Sequence, residues 1–477
     1  MKIDKDLMSI QEVRNLIELS RTAQKQFSVY DSEKIDEIVK GMAEGIYLHS
    51  ERLARLANEE TGFGKWQDKK LKNELASKGV YEYIKCMKTV GIIREDKELG
   101  IVEIGTPMGV ISGIIPSTNP TSTVIYKTLI ALKSGNSIIF SPHPSASKCI
   151  LETVRTLQDL AVSLGAPKNI LTCITMPTIA GTNELNKHVN MILATGGSAM
   201  VKAAYSSGVP ALGVGPGNVP VYIERSADIQ DAVKKIFESK SFDNGTVCAS
   251  EQAIVTERCI EKQVREEVEK NGGYFLRGTD LVKVKAIMEN SRGGMNPEIV
   301  GKSADYIAKL ANIKIPEGTR ILLSDEIGIG PKYPFSKEKL TQLLGFYVAE
   351  DWKTACEMCY QLLENGGLGH TLSMHSNDEA VIREFALKKP ISRLLINTPS
   401  THGAVGLSTN LAPSFTLGCG TVAGSATSDN VTPEHLINIK RMAYGVKAYK
   451  ESEAEIDRCT DLDIEAICRM VINELNQ

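Results

Sequence analysis

From residue 100 onward the chain repeats one texture: a short β-branched run, then a stretch of helical periodicity. The runs fall at 110–115, 137–140, 190–193 and 220–223, and helices are expected over 122–132, 146–164 and 199–206. A strand buried on both faces reads as an unbroken apolar run, and reaching a parallel neighbour takes a long crossover, usually a helix. The repetition therefore dictates an α/β protein around a mostly parallel sheet. A second α/β stretch runs from about 230 to 425, with strands expected at 252–255, 320–323 and 394–397. Ser226, Ala227 and Asp228 open a new helix after a turn-like segment, which places a boundary near residue 228. The first hundred residues read as mainly helical. Ser9 and Glu12 stand at capping-box spacing ahead of Val13, Leu16, Ile17 and Leu19, and further helices fit 33–46 and 50–59.

The 477 residues amount to roughly three domain-sized units or two large ones. At 42% apolar residues there is ample core material, which excludes global disorder. Lys plus Arg number 55 against 58 Asp plus Glu, and the resulting charge of −3 argues against broad capture of nucleic acid. The ten cysteines are spread along the chain without a disulfide framework, and the opening MKIDKDLMSIQEV lacks an apolar signal core. No apolar run is long enough to span a bilayer. The expectation is a cytoplasmic protein with reduced thiols and with neither membrane nor nucleic acid as partner. Cys356 and Cys359 form a CxxC inside an expected helix over 352–363, no second pair follows, and the seven histidines include no HExxH, so no metal site is expected.

Three places carry candidate chemistry. In FDNGTVCASEQ, Asp243, Asn244 and Gly245 supply a turn before Cys248, small residues follow it, and AIV continues as a strand. That setting suits a reactive thiol with backbone N–H groups beside it; it equally suits an incidental buried cysteine. Asn119, in PSTNP, follows the run 110–115 directly, where the strand ends of an open α/β sheet bind ligands. It also reads as an ordinary Asx or Pro turn. The glycine-rich pieces ATGGS and GVGPGN permit close backbone approach to a ligand, though neither is the GxGxxG fingerprint.

Taken in order, PSTNPTSTVIYKTLIALKSGNSIIFSPHPSA, ILATGGSAMVKAAYSSG, GVGPGNVPV, FDNGTVCASEQ, VGKSADYIA, PFSKEKL, GHT and APSFTLGCG resemble the CoA-acylating aldehyde dehydrogenases. The resemblance covers about residues 8–445. It is strongest to the aldehyde dehydrogenase half of the bifunctional aldehyde–alcohol dehydrogenases and to the stand-alone acylating enzymes; the iron-dependent alcohol dehydrogenase half is not expected here. It implies an aldehyde dehydrogenase fold, with a Rossmann-like cofactor domain at 1–228 and an α/β catalytic domain at 229–424. A small oligomerisation element would combine residues near 95–108 with a return segment at 425–445, in a homodimer or homotetramer. By the same resemblance Cys248 is the nucleophile, and Asn119 with the N–H of Cys248 forms the oxyanion hole. Ile115, Pro116 and Ser117 would touch the cofactor, Ser141, Pro142 and His143 its adenosine end, and Thr195, Gly196 and Gly197 its pyrophosphate and nicotinamide, with Gly215 beside them. Glu338 matches a residue that holds the nicotinamide ribose, and His370 matches a histidine that positions CoA or handles a proton.

Hydrolytic relatives carry a general-base glutamate in an ELGG motif, and the matching place here reads Gly213-Val214-Gly215-Pro216. Without a carboxylate to activate water, the thioacyl-enzyme is expected to wait for another nucleophile, and CoA fits. The implied reaction is the reversible oxidation of acetaldehyde or propionaldehyde with NAD and CoA. NADP stays open because no acidic residue stands at 141–144 to reject a 2′-phosphate. Acylating enzymes for succinic semialdehyde or sulfoacetaldehyde share most of these motifs and remain alternatives, as does a non-catalytic scaffold of the same fold. A non-acylating dehydrogenase is opposed by the missing base. Arg393 and residues 397–401 are placed at the site's mouth, with a structural or CoA-phosphate contact the better reading of the arginine. Beyond Tyr444 a polar linker leads to an amphipathic helix starting at Thr460, capped by Asp463, with Ile464, Ile467, Cys468, Val471 and Leu475 on one face. Some acylating enzymes of bacterial microcompartments carry such a tail, and residues 446–477 resemble it. That implies a shell or core protein as partner through 460–477, and a location inside a microcompartment; docking on the parent fold or the oligomer is the alternative.

Overall fold

A computed structural model describes residues 4–290, 293–447 and 464–476. Strands β1 (Gly91–Asp96) and β2 (Ile101–Pro107) pair antiparallel. Then follow β3 (Val110–Ile115), β4 (Ser137–Pro142), β5 (Leu171–Cys173), β6 (Met191–Thr195) and β7 (Ala211–Val214), a parallel sheet in the order β5-β4-β3-β6-β7. A second parallel sheet contains β8 (Val219–Ile223), β9 (Glu251–Glu257), β10 (Gly273–Phe275), β11 (Ile321–Asp325), β12 (Leu343–Ala349), β13 (Gly369–His375) and β14 (Ile391–Ile396), in the order β10-β11-β12-β9-β8-β13-β14. Finally β15 (Ile437–Ala443) returns to pair with 101–107 of β2 in a three-stranded sheet with β1.

Both faces of each parallel sheet are covered, and the strands' period of two distributes their side chains accordingly. Ile111 and Ile115 of β3 join a core with the helices Ser32–Tyr47, Pro120–Lys133 and Ser147–Ser163. Val110 and Ile114 face the other way, against Val13 and Ile17 of the first helix, Lys5–Phe27. In the second sheet Val221 and Ile254 lie in one core and Tyr222, Ala253 and Val255 in another. The helix Pro120–Lys133 is buried along its whole length, and its buried Lys127 and Thr121 are hydrogen-bonded.

In the first sheet the chain runs outward from β3 to β4 and β5 and then crosses back to lay β6 on the other side of β3, so the strand order reverses between β3 and β6. That opens a crevice beyond the carboxyl ends of β3 and β6, the usual ligand position in doubly wound sheets. Lys127 lies under it. Its buried Nζ donates to the carbonyls of Ile114 and Leu193, each at 2.8 Å, and so ties the two strands at the point where they part.

Several expectations are corrected. Ser9 and Glu12 form no capping box, because the helix starts earlier, at Lys5, with Asp4 as its cap. Ser9 donates to the Met176 carbonyl at 2.7 Å, and Glu12 accepts from the backbone and hydroxyl of Thr175 at 2.7 and 2.6 Å. The run at 220–223 belongs to the second sheet, so the change of sheet falls between Val214 and Val219, ahead of residue 228. Asp228 does cap a helix, Ile229–Ser241. The C-terminal helix is Ile464–Leu475; Thr460 and Asp463 lie outside the described residues. Its apolar stripe is open to solvent, with Val471 51% and Leu475 80% exposed. Among the described residues no helix is long and apolar enough to cross a membrane.

Candidate active site

Cys248 sits at the end of a constrained loop between the helix Ile229–Ser241 and β9. Asp243, Asn244 and Gly245 are three consecutive left-handed residues, with φ of 47°, 52° and 75°. For the two non-glycine residues this conformation costs of order 1 kcal/mol each. The cost is offset by bonds that only this shape allows. The buried Asp243 carboxylate accepts from the Lys65 N–H at 2.7 Å, from Lys69 Nζ at 2.9 Å, from Thr246 Oγ1 at 2.7 Å, and from Lys72. Its own N–H donates to Asp68 at 2.7 Å, and Asn244 Nδ2 donates to the Gly301 carbonyl at 2.9 Å. Burial alone would raise the Asp243 carboxyl; the two lysines and these hydrogen bonds outweigh it and hold the group below the usual carboxylate range.

Asn119 follows β3 and stands at the N-cap of Pro120–Lys133, yet its side chain makes no cap bond. It is therefore not an ordinary Asx turn. Lys72 Nζ donates to its Oδ1 at 2.5 Å. Its Nδ2 makes only long bonds, to Thr118 Oγ1 at 3.2 Å and to the Thr246 carbonyl at 3.4 Å. The amide orientation follows from chemistry, since an ammonium group can only donate.

Asn119 and Cys248 line one cavity, together with Thr195 from the end of β6. The rest of its wall is largely apolar: Leu71, Leu75, Phe242, Val247, Val405, Leu407, Phe415 and Leu417. Leu71, Lys72 and Leu75 come from the helix Trp66–Glu74 and the π-helical turn Leu75–Gly79 that continues it. Such turns often occur where a helix must re-aim side chains at a site.

Burial, reinforced by Glu338, pushes the Cys248 thiol up to about 12, while Arg393 acts in the opposite sense. Burial lifts Glu338 itself to about 7 although it accepts from the Gly217 N–H at 2.9 Å. A Cβ on Gly217 would stand 2.3 Å from the Cys248 carbonyl oxygen and 3.2 Å from the His370 ring, so these groups are in direct succession. His370 is fully buried and, by burial and then by Arg393, is lowered to about 3. It is a neutral imidazole, with Nδ1 2.9 Å from Thr371 Oγ1 and no protein partner on Nε2. Arg393 spends its donors on the carbonyls of His370, Gly418 and Ser428, on Asn430 Oδ1 and on Thr371 Oγ1, at 2.7 to 3.3 Å. Its structural reading is the one the geometry supports.

Over the crevice of the first sheet lies a second cleft, lined by Ile115, Pro116, Ser141, Pro142, His143, Thr195, Gly196 and Gly197. Ser117 is not among its lining residues, and Gly215 borders a separate cleft with Gly213, Tyr205 and Cys419. Neither a left-handed backbone nor packing explains the glycines at 197 and 215, because a Cβ on either would meet nothing within 4 Å. At Gly197, between β6 and the helix Ser198–Tyr205, open space above a strand–turn–helix junction is what a dinucleotide needs for close approach, and the residues lining this cleft fit one.

Residues 6–323 match the sequence model of the Aldehyde dehydrogenase family. The chain belongs to that family. The aldehyde-alcohol dehydrogenase of Clostridium acetobutylicum is 42% identical over 441 residues, covering 91% of this chain and 51% of that protein. The chain thus spans about half the length of the bifunctional curated relatives it matches. Among solved structures, an acetylating aldehyde dehydrogenase from Geobacillus thermoglucosidasius is 50% identical with a TM-score of 0.93, covering 94% of this chain and 100% of that one. A probable aldehyde dehydrogenase from Listeria monocytogenes is 56% identical with a TM-score of 0.92, covering 94% and 99%.

Against the hydrolytic members of the family, Gly213 has a structural explanation. A Cβ there would fall 2.8 Å from Val201 Cγ1 and 2.9 Å from Tyr205 Cε2. Tyr205 Oη also accepts from the Gly213 N–H at 2.9 Å and bonds its carbonyl at 3.3 Å. The space beside Gly213 is taken by a tyrosine ring. Tyr205, Lys72, Asp243 as an ion-pair partner, and the apolar wall were not read from sequence. Phe242, Phe415 and Leu417 do fall inside motifs quoted above; Lys72 falls in none. Cys356 and Cys359 pack in the second sheet's core, and among the described residues no group of three or more His, Cys, Asp or Glu could hold a metal ion.

Proposed function

We propose that this chain oxidises a short, uncharged aldehyde to its acyl-CoA, reversibly, with NAD and CoA, through a thioester on Cys248. One observation carries the reading: Cys248 and Asn119 share an apolar cavity, while the place of a water-activating carboxylate is Gly213, packed against Tyr205. The Cys248 thiol gives its proton to solvent as the sulfur adds to the aldehyde carbon, and the resulting oxyanion takes hydrogen bonds from Asn119 Nδ2 and the Cys248 N–H. A nicotinamide held over the strand ends would accept the hydride from that carbon. The acyl group then remains on Cys248 until the CoA sulfur attacks it and releases the enzyme thiol. His370, neutral at any physiological pH, is suited to orient the CoA thiol by a hydrogen bond from its unpartnered ring nitrogen rather than to act as a strong base. A propionaldehyde dehydrogenase of Rhodopseudomonas palustris, 27% identical, carries bound CoA and an acylated cysteine, which supports this course.

Curated relatives include an acetylating succinate-semialdehyde dehydrogenase of Clostridium kluyveri, 36% identical, and a sulfoacetaldehyde dehydrogenase of an Acholeplasma species, 35% identical. The cavity favours neither anion, because its lysine, Lys72, is committed to Asp243 and Asn119. Acetaldehyde and propionaldehyde suit its apolar wall. No lysine or arginine lines the cofactor cleft to receive a 2′-phosphate, which favours NAD, and no carboxylate lines it to reject NADP strongly. The deciding experiment follows NADH formation from acetaldehyde with and without CoA; turnover at full rate without CoA excludes the acylating assignment. A Cys248→Ala protein that still reacts excludes the nucleophile. The same assay with the two anionic aldehydes tests the substrate class.

Two further readings concern assembly. Ile439 and Met442 on the three-stranded sheet are 42% and 45% exposed, which suits an oligomeric contact through β15. The exposed stripe of Ile464–Leu475 suits capture by a microcompartment shell or core protein, and a propionaldehyde dehydrogenase from a Clostridium phytofermentans microcompartment is 26% identical with a TM-score of 0.81. Equal encapsulation of the full chain and of one truncated before residue 455, on co-expression with shell proteins, excludes the second reading.

A further inference from the structure

Two buried lysines meet one buried aspartate beside the cavity. Lys69 is 2% exposed and Lys72 3%, while Asp243 is fully buried. Lys69 alone satisfies the charge of Asp243, at 2.9 Å, and gives a further bond to the Thr118 carbonyl at 3.1 Å. Burying a second cation is costly unless it is well bonded, and it is not needed to neutralise the carboxylate. What Lys72 does that Lys69 does not is donate to Asn119 Oδ1.

We propose that Lys72 is a positioning residue of the oxyanion hole: it locks the Asn119 amide with Nδ2 turned towards the Cys248 loop, and through Asp243 it fastens that orientation to the same loop. The inference rests on the catalytic roles proposed above for Cys248 and Asn119. A flipped amide would set its NH2 against the ammonium, donor against donor, so only one orientation survives. Asp243 transmits the constraint, because its carboxylate also holds Thr246 Oγ1, two residues before the nucleophile. The amide is thereby aimed before substrate arrives and needs no reorganisation during reaction. The ammonium adds a positive charge one hydrogen bond behind the donor, which polarises the amide further. Lys72 is faced by Asp243 from the loop, by Lys69 and Asp68 from its own helix, and by Cys248 and His402 across the cavity. Burial lowers it to about 8, so the ammonium prevails at neutral pH and is lost as pH rises further.

The test is a double-mutant cycle on the full chain, read as the rate of the first NADH turnover with acetaldehyde. Asn119→Ala should slow it about 100-fold, and Lys72→Met about 10-fold or more with KM for acetaldehyde little changed. In the Asn119→Ala background, Lys72→Met should cost less than about 2-fold. Lys72→Arg, which keeps a charged donor, should recover most of the rate. Equal losses from Lys72→Met in both backgrounds, or none in the wild type, overturn the proposal. An Asn119→Ala protein at wild-type rate overturns the underlying site assignment instead. A readout that leaves Lys72 in place covers the event that its variants do not fold. The rate ratio of wild type to Asn119→Ala should fall severalfold between about pH 7 and pH 9.5 as the ammonium is lost; a ratio independent of pH overturns the proposal.

Discussion

Placing a carboxylate where hydrolytic relatives have theirs should not by itself make this chain a hydrolase. In Gly213→Glu the new Cβ arrives 2.8 Å from Val201 and 2.9 Å from Tyr205, both side-chain carbons. Overpacking of that kind costs about 1–3 kcal/mol. Turning the ring aside also breaks the Tyr205 hydroxyl's bonds to Gly213, Ser425 and the Ala426 N–H, worth about 1 kcal/mol apiece. The single variant is expected to lose several degrees of thermal stability and to keep its dependence on CoA. Gly213→Glu with Tyr205→Ala removes the ring and lets the carboxylate reach a water. A well-placed general base contributes about 10²–10⁴-fold, so CoA-free turnover should rise at least about 10-fold above that of Tyr205→Ala alone. The assay is steady-state NADH formation without CoA, with acetate counted as product and melting followed alongside. If Gly213→Glu alone matches the double variant at undiminished stability, Tyr205 is not what keeps the base out.

Because the Cys248 thiol is pushed up to about 12, its alkylation by iodoacetamide in the free protein should climb steadily with pH from 7 to 10 and show no plateau. The thiolate is the reactive form and its share grows tenfold per pH unit below the pKa; a plateau near pH 8 refutes the burial argument. His370→Ala should leave the first turnover of NADH close to wild type and slow the steady state with CoA, and a lost first turnover would falsify its assignment to the CoA step. Gly64 has φ +68°, and a Cβ on it would stand 1.7 Å from Asp243 Oδ1. Gly64→Ala is therefore expected to displace that carboxylate, costing at least about 1–2 kcal/mol in stability and most of the activity. Unchanged melting and rate would show that the loop is not held by Asp243.

The fold was legible where strands are long and fully buried. The run at 110–115 coincides with β3, and the runs at 137–140 and 190–193 fall at β4 and β6, because every residue of a central parallel strand must be apolar or small. β5 and β10 have three residues each, too few for any periodicity to emerge. β7 was hidden because ALGV runs straight into the glycines of GVGPGN and reads as part of that turn. In the proposed site, Cys248 and Asn119 could be put forward from sequence because each lies in a long local motif. Lys72 could not. Its partner Asp243 is 171 residues away along the chain, and a lysine in a charged helix such as Trp66–Glu74 looks like solvent-facing surface until the tertiary structure buries it.

The same limit applies to what distinguishes this site from a hydrolytic one. Read as sequence, Gly213 is a missing carboxylate, and a missing group suggests that restoring it restores the activity. In the structure the position is occupied by packing. Tyr205 rises from the helix Ser198–Tyr205, fills the space over β7, and uses its hydroxyl to join Gly213 to Ser425 and Ala426 in the segment that leads back to β15. On the proposed function, one side chain thus does two things that cannot be separated by a single substitution: it occupies the space a side chain at 213 would need, and it ties β7 to the return segment. If the proposed acyl transfer holds, selection for it over hydrolysis would act on residues 205 and 213 as a pair, since Gly213→Glu alone overpacks against the ring and Tyr205→Ala alone supplies no carboxylate.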